Sequence, residues 1–313
     1  MNQETSVVVV GSLNLDFVVQ VDQLPQPGET LPGSGFVTLP GGKGANQACA
    51  VGRLAKPHTA AMIGCVGVDV YGQQLMESLR AAGVNERFVR ATLEAATGIA
   101  LIVVEASGQN QIVVVPGANN CLRPAEVTEA LSALAGSHLL LQLETPLDTV
   151  ATAARHARAL DMTVILDPAP ARPLPADLLE QVNILTPNES EALALIGASG
   201  NHIPLTEAAN VARRLLAMGP PQVILKLGDQ GAFFADAERS CHFPARSVAA
   251  KDTTAAGDCF NGALATALAE GMTMDEAIRF ANVAASISIT RLGAQASLPH
   301  RSDVDTIFFD SLP

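Results

Sequence analysis

The sequence predicts an α/β fold: a three-layer, open, mostly parallel sheet flanked by helices, with a small antiparallel β lid. Three observations lead there. Short β-branched runs alternate with Ala/Leu-rich stretches of helical spacing along most of the chain. The runs are apolar without alternation, as in strands buried on both faces. Two further pairs of strand-like segments have no helix between their members. At 313 residues, 48% hydrophobic, the chain is long enough for a large core, and a single domain over residues 1–313 accommodates the pattern.

In chain order, residues 7–10 (Val-Val-Val-Val) predict the first buried strand. Residues 15–21 and 35–39 form the first helix-free pair. The small residues of 45–54 predict a closely packed helix, and 60–64 a second buried strand. Residues 97–105 and 111–115 form the other pair, joined through Ala106-Ser107-Gly108-Gln109-Asn110. Strands follow at 138–142, 163–167, 184–186 and 223–226, and helices at 149–160, 206–218 and 257–270. Gly219-Pro220-Pro221 and Gly271 end two of the helices, and Pro168–175 is a Pro/Ala-rich loop. The remaining intervening segments are expected to be crossover helices. The helix-free pairs, about 15–41 and 96–116, are expected to insert a β lid over the carboxyl ends of the parallel strands, where ligands bind in such folds.

Composition narrows the partners. With 31 Asp+Glu against 19 Lys+Arg the net charge is −12, and no basic run tracks phosphates, which argues against nucleic acid and anionic membranes. No window approaches the ~18 apolar residues of a membrane span, and Met1-Asn2-Gln3-Glu4-Thr5 lacks the basic start of a signal peptide. A cytoplasmic location is expected. The five cysteines are far apart and never spaced as CxxC, so they read as small core residues rather than a disulfide framework or zinc site. The six histidines are scattered, without HExxH. No Trp and one Tyr point to close helix–sheet packing rather than stacking on bases. Small molecules are the expected partners.

Four constellations bear chemistry. Pro40-Gly41-Gly42-Lys43-Gly44-Ala45-Asn46 presents bare amides and a cation at a helix start, which suits an anion or polyol; it is not a Walker loop, since Gly44 follows Lys43. Asp252-Thr253-Thr254-Ala255-Ala256-Gly257-Asp258 leads directly into a helix. There the amides of Ala255 to Asp258 can converge on an oxyanion while Asp258 accepts a proton from an attacking hydroxyl, or Asp258 is simply a cap. The helix terminus is expected to favour the ionised carboxylate, a weak base that works late. Asn188 and Glu191 share a face if a helix starts there; their hard oxygens either hold Mg²⁺ through water or cap the helix. Asn14 and Asp16, two apart after the first strand, suit sugar hydroxyls or a turn.

These motifs, with Pro27-Gly28-Glu29-Thr30 and Thr186-Pro187-Asn188-Glu189, resemble the ribokinase/PfkB family of carbohydrate kinases, in that family's order. The resemblance runs from the first strand to Gly293-Ala294-Gln295. It implies an α/β body, a β lid that also makes a homodimer interface, ATP with Mg²⁺, and transfer to the 5-hydroxyl of D-ribose. It further implies that Asn14, Asp16, Gly42, Lys43, Gly44, Asn46 and Glu144 hold the sugar, with Asp258 as base and Ala255, Ala256 and Gly257 around the moving phosphoryl group. Lys226-Leu227-Gly228-Asp229-Gln230-Gly231, Asn188, Gly257 and Asn282 would line the nucleotide. Asp252, Thr254, Ser288, Arg291, Gly293 and Ser297 would surround a monovalent cation, usually K⁺, unless Asp252 pairs with Arg291 or caps its turn.

Lys226 and Asn282 depart from the residues expected at those positions, a small hydroxyl residue and His, which bears on nucleotide preference. Alternatives within the family are kinases of 2-deoxyribose, fructose or a nucleoside. A silent sugar-binding regulator would have lost the base, yet Asp258 is present. A nicotinamide-dependent dehydrogenase would need GxGxxG after the first strand, where Gly11-Ser12-Leu13-Asn14 stands.

Overall fold

The computed structural model describes residues 6–56, 59–105, 109–134 and 136–310. Residues 1–5, considered above for a signal peptide, and 106–108 of the expected turn lie outside them. From the N-terminus come β1 (Val7–Val10), β2 (Asn14–Val21), β3 (Gly35–Gly41), α1 (Lys43–Leu54), β4 (Ala60–Gly67), α2 (Val70–Ala81) and β5 (Asn85–Thr92). Then follow β6 (Gly98–Glu105), β7 (Asn110–Val115), α3 (Pro124–Leu134), β8 (His138–Leu141), α4 (Leu147–Ala159), β9 (Thr163–Leu166), α5 (Ala176–Leu179) and β10 (Ile184–Leu185). The last part holds α6 (Glu189–Leu195), α7 (Leu205–Leu216), β11 (Gln222–Lys226), β12 (Ala232–Ala235), β13 (Ser240–Phe243), α8 (Ala256–Ala269), α9 (Met274–Ser288) and α10 (Arg301–Asp310).

The described residues form a nine-stranded sheet, β13-β12-β11-β10-β9-β8-β1-β4-β5. It is parallel from β11 to β5 and antiparallel at the β11-β12-β13 edge. The continuous apolar runs are central, as expected. In β1 the alternation sorts the side chains: Val7 and Val9 pack into the core beneath α1, α8 and α9, and Val8 and Val10 into the core beneath α3, α4 and α7. Among the segments expected to be crossover helices, 85–92 and 232–243 are instead strands. Of these, β5 and β13 are the sheet margins, where partial burial allows charged residues such as Glu86 and Arg87 in the run, while β12, between β11 and β13, is buried throughout.

The second sheet has the order β3-β2-β6-β7. Both outer pairs are antiparallel, as expected, and the central β2–β6 pair is parallel. Both central strands follow strands of the large sheet and leave in the same sense. Cys49, Cys65 and Cys259 are buried, whereas Cys121 and Cys241 are only partly so. No helix among the described residues is long and apolar enough to cross a membrane.

Two features position the site. The chain runs outward from β1 to β4 and β5, then returns to the other flank as β8, so strand order reverses at the β1/β8 boundary; a crevice opens at the carboxyl ends there. Behind it, α1 lies directly on α8. A Cβ added at Gly262 would stand 2.5 Å from the Ala50 Cβ and 2.9 Å from the Gln47 carbonyl oxygen, so glycine alone permits this approach. Gly262→Val is expected to lower stability by about 1–3 kcal/mol through overpacking, read from urea unfolding. An unchanged midpoint would mean that the helices separate freely.

Candidate active site

Asp258 sits in the first turn of α8, 6% exposed. Its Oδ2 accepts a 3.0 Å bond from Asn46 Nδ2 and its Oδ1 a 3.1 Å bond from Gln47 Nε2. Gln47 Nε2 also donates to Asp167 Oδ2 at 2.9 Å, and its Oε1 accepts from Gln142 Nε2 at 2.6 Å. Asp167 Oδ1 meets Lys226 Nζ at 2.8 Å. Asp258 is thus bound into a buried chain of amides and carboxylates, whose members Gln47, Gln142 and Asp167 the sequence reading had not singled out. Gln142 and Asp167 each directly follow a strand of the large sheet, the position from which side chains enter the crevice.

The expected ionisation of Asp258 is corrected. Burial pushes its carboxyl up to about 6, the Lys43 ammonium pulls it down, the Asp167 carboxylate pushes it up, and the Asn46 and Gln47 donors pull it down. Desolvation outweighs the helix terminus because the group is almost wholly removed from water.

The turn before α8 puts Ala255 in the left-handed region, φ 59°. The expected convergence of amides is also corrected in part: the Ala256 N–H is spent on the Thr253 carbonyl at 3.2 Å. The Gly257 and Asp258 amides have no partner among the described residues, and both residues line a cavity of about 440 Å³ with Ala255, Ala256, Lys43, Asp167, Asn188, Glu191, Lys226 and Gly228.

On the β1 side, Asn14 is 3% exposed and its Oδ1 accepts from Asn119 Nδ2 at 2.8 Å. Asn119, also unanticipated, is fixed in turn by the Leu13 amide, which donates to its Oδ1 at 2.8 Å. Glu144 accepts from the Ser12 hydroxyl and, at 3.1 Å, from the Lys43 amide. Gly42, at φ 86°, caps α1 where a Cβ would meet the Asn14 nitrogen at 2.7 Å, and a Cβ on Gly44 would meet the Gly11 carbonyl carbon at 2.6 Å. Both glycines are there for close backbone approach. Asp16 is pushed up to about 7 by burial, then by the Glu144 and Asp258 carboxylates. For Lys43, burial disfavours the charge, but Asp258, Asp167, Glu144 and Glu191 outweigh it and the pKa rises. The Asn46 Oδ1 is buried without a partner among the described residues. The sugar-binding set expected from the sequence is therefore brought together around one oxygen-rich crevice.

The nucleotide-side set divides. Asn188, Lys226, Gly228 and Gly257 line the cavity. Leu227 is core, Asp229 and Gln230 form a short 3-10 turn, and Gly231 at φ 93° packs on the Phe243 carbonyl. Asn282 Nδ2 donates to that same carbonyl at 3.1 Å. Asn188 and Glu191 form a capping box: Asn188 Oδ1 accepts from the Glu191 amide at 2.9 Å and Glu191 Oε2 from the Asn188 amide at 2.8 Å. The Glu191 pKa is raised, chiefly by burial. Asp252 does not pair with Arg291, which instead binds Asp303 at 2.9 Å. It caps its own turn, Oδ1 accepting from the Thr254 amide at 2.9 Å, while Oδ2 accepts from the Gly293 amide at 2.8 Å. The Ser288 and Ser297 hydroxyls are buried and donate to carbonyls within their own turns.

A buried carboxyl at the start of a helix with open amides, beside an oxygen-rich crevice at a strand switch point, suits a sugar phosphotransferase of the α/β class. The match to known proteins narrows this: the model of the pfkB family carbohydrate kinases covers residues 4–301, and the chain belongs to that family. It is 39% identical to a ribokinase of Bacillus subtilis over 96% of this chain and 99% of that one, and 40% identical to a ribokinase of Haemophilus influenzae over 95% and 96%. Among solved structures, the Thermotoga maritima ribokinase superposes with a TM-score of 0.88 at 38% identity, covering 98% of this chain and 100% of that one. An Arabidopsis thaliana ribokinase complexed with ribose and ATP also gives 0.88, at 32% identity, over 98% and 99%.

The pKa directions fix a pH dependence. A base works ionised, so kcat/KM is expected to fall about tenfold per pH unit below about 6. For stability the sign is opposite: with the folded-state pKa above the ordinary value of 3.8, the native state holds the proton more tightly, and stability declines as pH rises through that window. A rate profile flat from pH 5 to 7 would remove Asp258 as the titrating base.

Proposed function

We propose that this chain phosphorylates D-ribose at its 5-hydroxyl with ATP, giving D-ribose 5-phosphate and ADP. The observation that carries this reading is the buried Asp258 at the open-amide start of α8, bonded to Asn46 at the edge of the Asn14–Asp16–Glu144 crevice. In the proposed mechanism, Asn14, Asp16, Lys43, Asn46 and Glu144 with the backbone of Gly42 and Gly44 hold the sugar and turn its 5-hydroxyl to Asp258. Asp258 accepts the hydroxyl proton as the new O–P bond forms, and the Gly257 and Asp258 amides hold the charge on the moving phosphoryl group. The turn from Lys226 to Gly231, with Asn188 and Asn282, bounds the nucleotide.

Mg²⁺ enters with ATP and would neutralise phosphate charge. The site's chemistry fits it: Asn188 and Glu191 offer hard oxygens at the cavity wall, and no cluster of three or more His, Cys, Asp or Glu side chains among the described residues forms a dedicated cage. Such a setting suits an ion that keeps its waters. A K⁺ site is part of the same proposal. Asp252, held ionised by the Thr254 and Gly293 amides against its burial, would supply the negative charge, and Thr254, Ser288, Arg291, Gly293 and Ser297 would supply further oxygens. The small sheet serves as lid and homodimer contact, a reading supported by exposed Phe36, Val37, Ile112 and Val113. A cytoplasmic location is part of the same proposal.

ADP formation measured with ribose, 2-deoxyribose, fructose, adenosine and no sugar tests the substrate. Ribose is expected to give the highest kcat/KM, and no sugar-dependent ADP with any of them would leave a binding protein. Asp258→Asn is expected to keep ribose binding by calorimetry while lowering kcat about 10²–10⁴-fold; more than a third of wild-type turnover would contradict the base. Rates in K⁺, Na⁺ and tetramethylammonium at matched ionic strength are expected to be highest in K⁺. Equal rates would mean that the Asp252 loop forms without an ion.

A further inference from the structure

We infer that Lys226 is a further catalytic residue, its ammonium contacting the phosphoryl group in flight, and that Asp167 is the residue that positions it. The inference deepens the kinase reading above and rests on it. Lys226 ends β11 and its side chain is only 12% exposed, yet it lines the cavity. Its Nζ lies 2.8 Å from Asp167 Oδ1, and it would lie 3.4 Å from a Cβ built on Gly257. One of its neighbours is therefore a fixed carboxylate and the other is the open-amide helix start where phosphoryl charge is held. Asp167 is held from its other oxygen by Gln47, which also donates to Asp258, so the ammonium and the base share one rigid frame.

A buried ion pair contributes little to stability compared with packed apolar residues. At this cavity wall its chemistry is better matched to a polyanion. When the sugar hydroxyl oxygen bonds to the γ-phosphorus, the bond from that phosphorus to the β,γ-bridging oxygen breaks. The hydroxyl proton goes to Asp258 and the electron pair stays on the β-phosphate of ADP. Through that exchange the three outer oxygens of the moving group face the Gly257 amide on one side and the Lys226 ammonium beside it. A fixed cation there strengthens its contacts as charge redistributes, without reorganising.

The test measures kcat, KM for ATP and for ribose, and ribose binding by calorimetry in Lys226→Met, Asp167→Asn and the double variant. Lys226→Met is expected to lower kcat ten- to a hundredfold, with ribose affinity within twofold of wild type. Compared at pH 8, where Asp258 is ionised whatever the charge at Asp167, Asp167→Asn is expected to lower kcat at least fivefold with the same KM for ribose, and the double variant to lie within threefold of Lys226→Met, since both changes then act through one ammonium. A purely structural pair would instead move the unfolding midpoint and leave kcat alone. Should a single variant fail to fold, the double variant leaves no unpaired buried charge and carries the same measurement. Wild-type ribose-dependent turnover together with kcat within threefold of wild type in Lys226→Met overturns this inference alone; absence of that turnover in the wild type overturns the kinase reading beneath it.

Discussion

The active centre depends on how closely α1 approaches α8. Gly262 on one helix and the small Ala50 on the other let the two backbones come together. Because both helices start at the crevice, the contact carries Lys43, Asn46 and Gln47 to Asp258. A carboxylate in that place has lost most of its water. Two side-chain amides and a distant ammonium restore only part of the loss, and the carboxyl stays at about 6 instead of 3.8. Helix packing thus sets the basicity of the group: a drier junction would keep it protonated at neutral pH, and a looser one would return it to an ordinary weak carboxylate.

The crevice beside it is arranged on the same principle. Burial first, and then the Glu144 and Asp258 carboxylates, raise the Asp16 pKa to about 7, and the Lys43 ammonium is held charged by Asp258 and Glu144. Such a site gains most from a neutral ligand rich in hydroxyl donors, since each donor relieves an acceptor that burial has stripped of water. The buried Asn46 Oδ1, without a donor among the described residues, is one such acceptor. The cavity beyond carries both signs at its wall: the Lys43 and Lys226 ammoniums and the open amides stand beside Asp167, Glu189, Glu191 and Asp258.

Much of this was legible in the sequence because the local rules and the fold agree. Val7–Val10 is a buried strand whichever face is considered, and glycines 41, 42, 44 and 257 announce backbone approach before any partner is known. The strands β5, β12 and β13 were not legible: β5 and β13 are sheet margins, where partial burial lets charged and polar residues enter the run, and β12 is a short segment of only 4 residues. Gln47, Gln142, Asn119 and Asp167 escaped because their importance is tertiary: each is ordinary in its own segment and acts only once β1, β8, β9, α1 and α8 converge. Asn188 and Glu191 show the limit from another side. The same spacing can encode a capping box or a pair of metal-facing oxygens, and the fold forms the first: Glu191 accepts from the Asn188 amide and side chain, and Asn188 Oδ1 from the Glu191 amide and the Ser190 hydroxyl. The ionisation of Asp258 was misjudged because a helix terminus, a surface effect of a few tenths to about 1 kcal/mol, was weighed without the burial that outweighs it.

The turn before α8 ties these threads together. A non-glycine residue in the left-handed region costs roughly 1–2 kcal/mol, and Ala255 holds that conformation. It persists because the segment is fixed on both sides: the Lys251 and Asp252 amides donate to the Ile289 carbonyl at 2.7 and 3.2 Å, and the Asp252 carboxylate grips the Thr254 and Gly293 amides. The end of α9 and the loop beyond it therefore over-determine a turn that the chain would not adopt alone. The left-handed residue directs the next amide back to Thr253 and leaves those of Gly257 and Asp258 open. Any group that tightens or loosens the Asp252 junction therefore acts on the open Gly257 and Asp258 amides through this one residue, from outside the Asn14–Asp16 crevice.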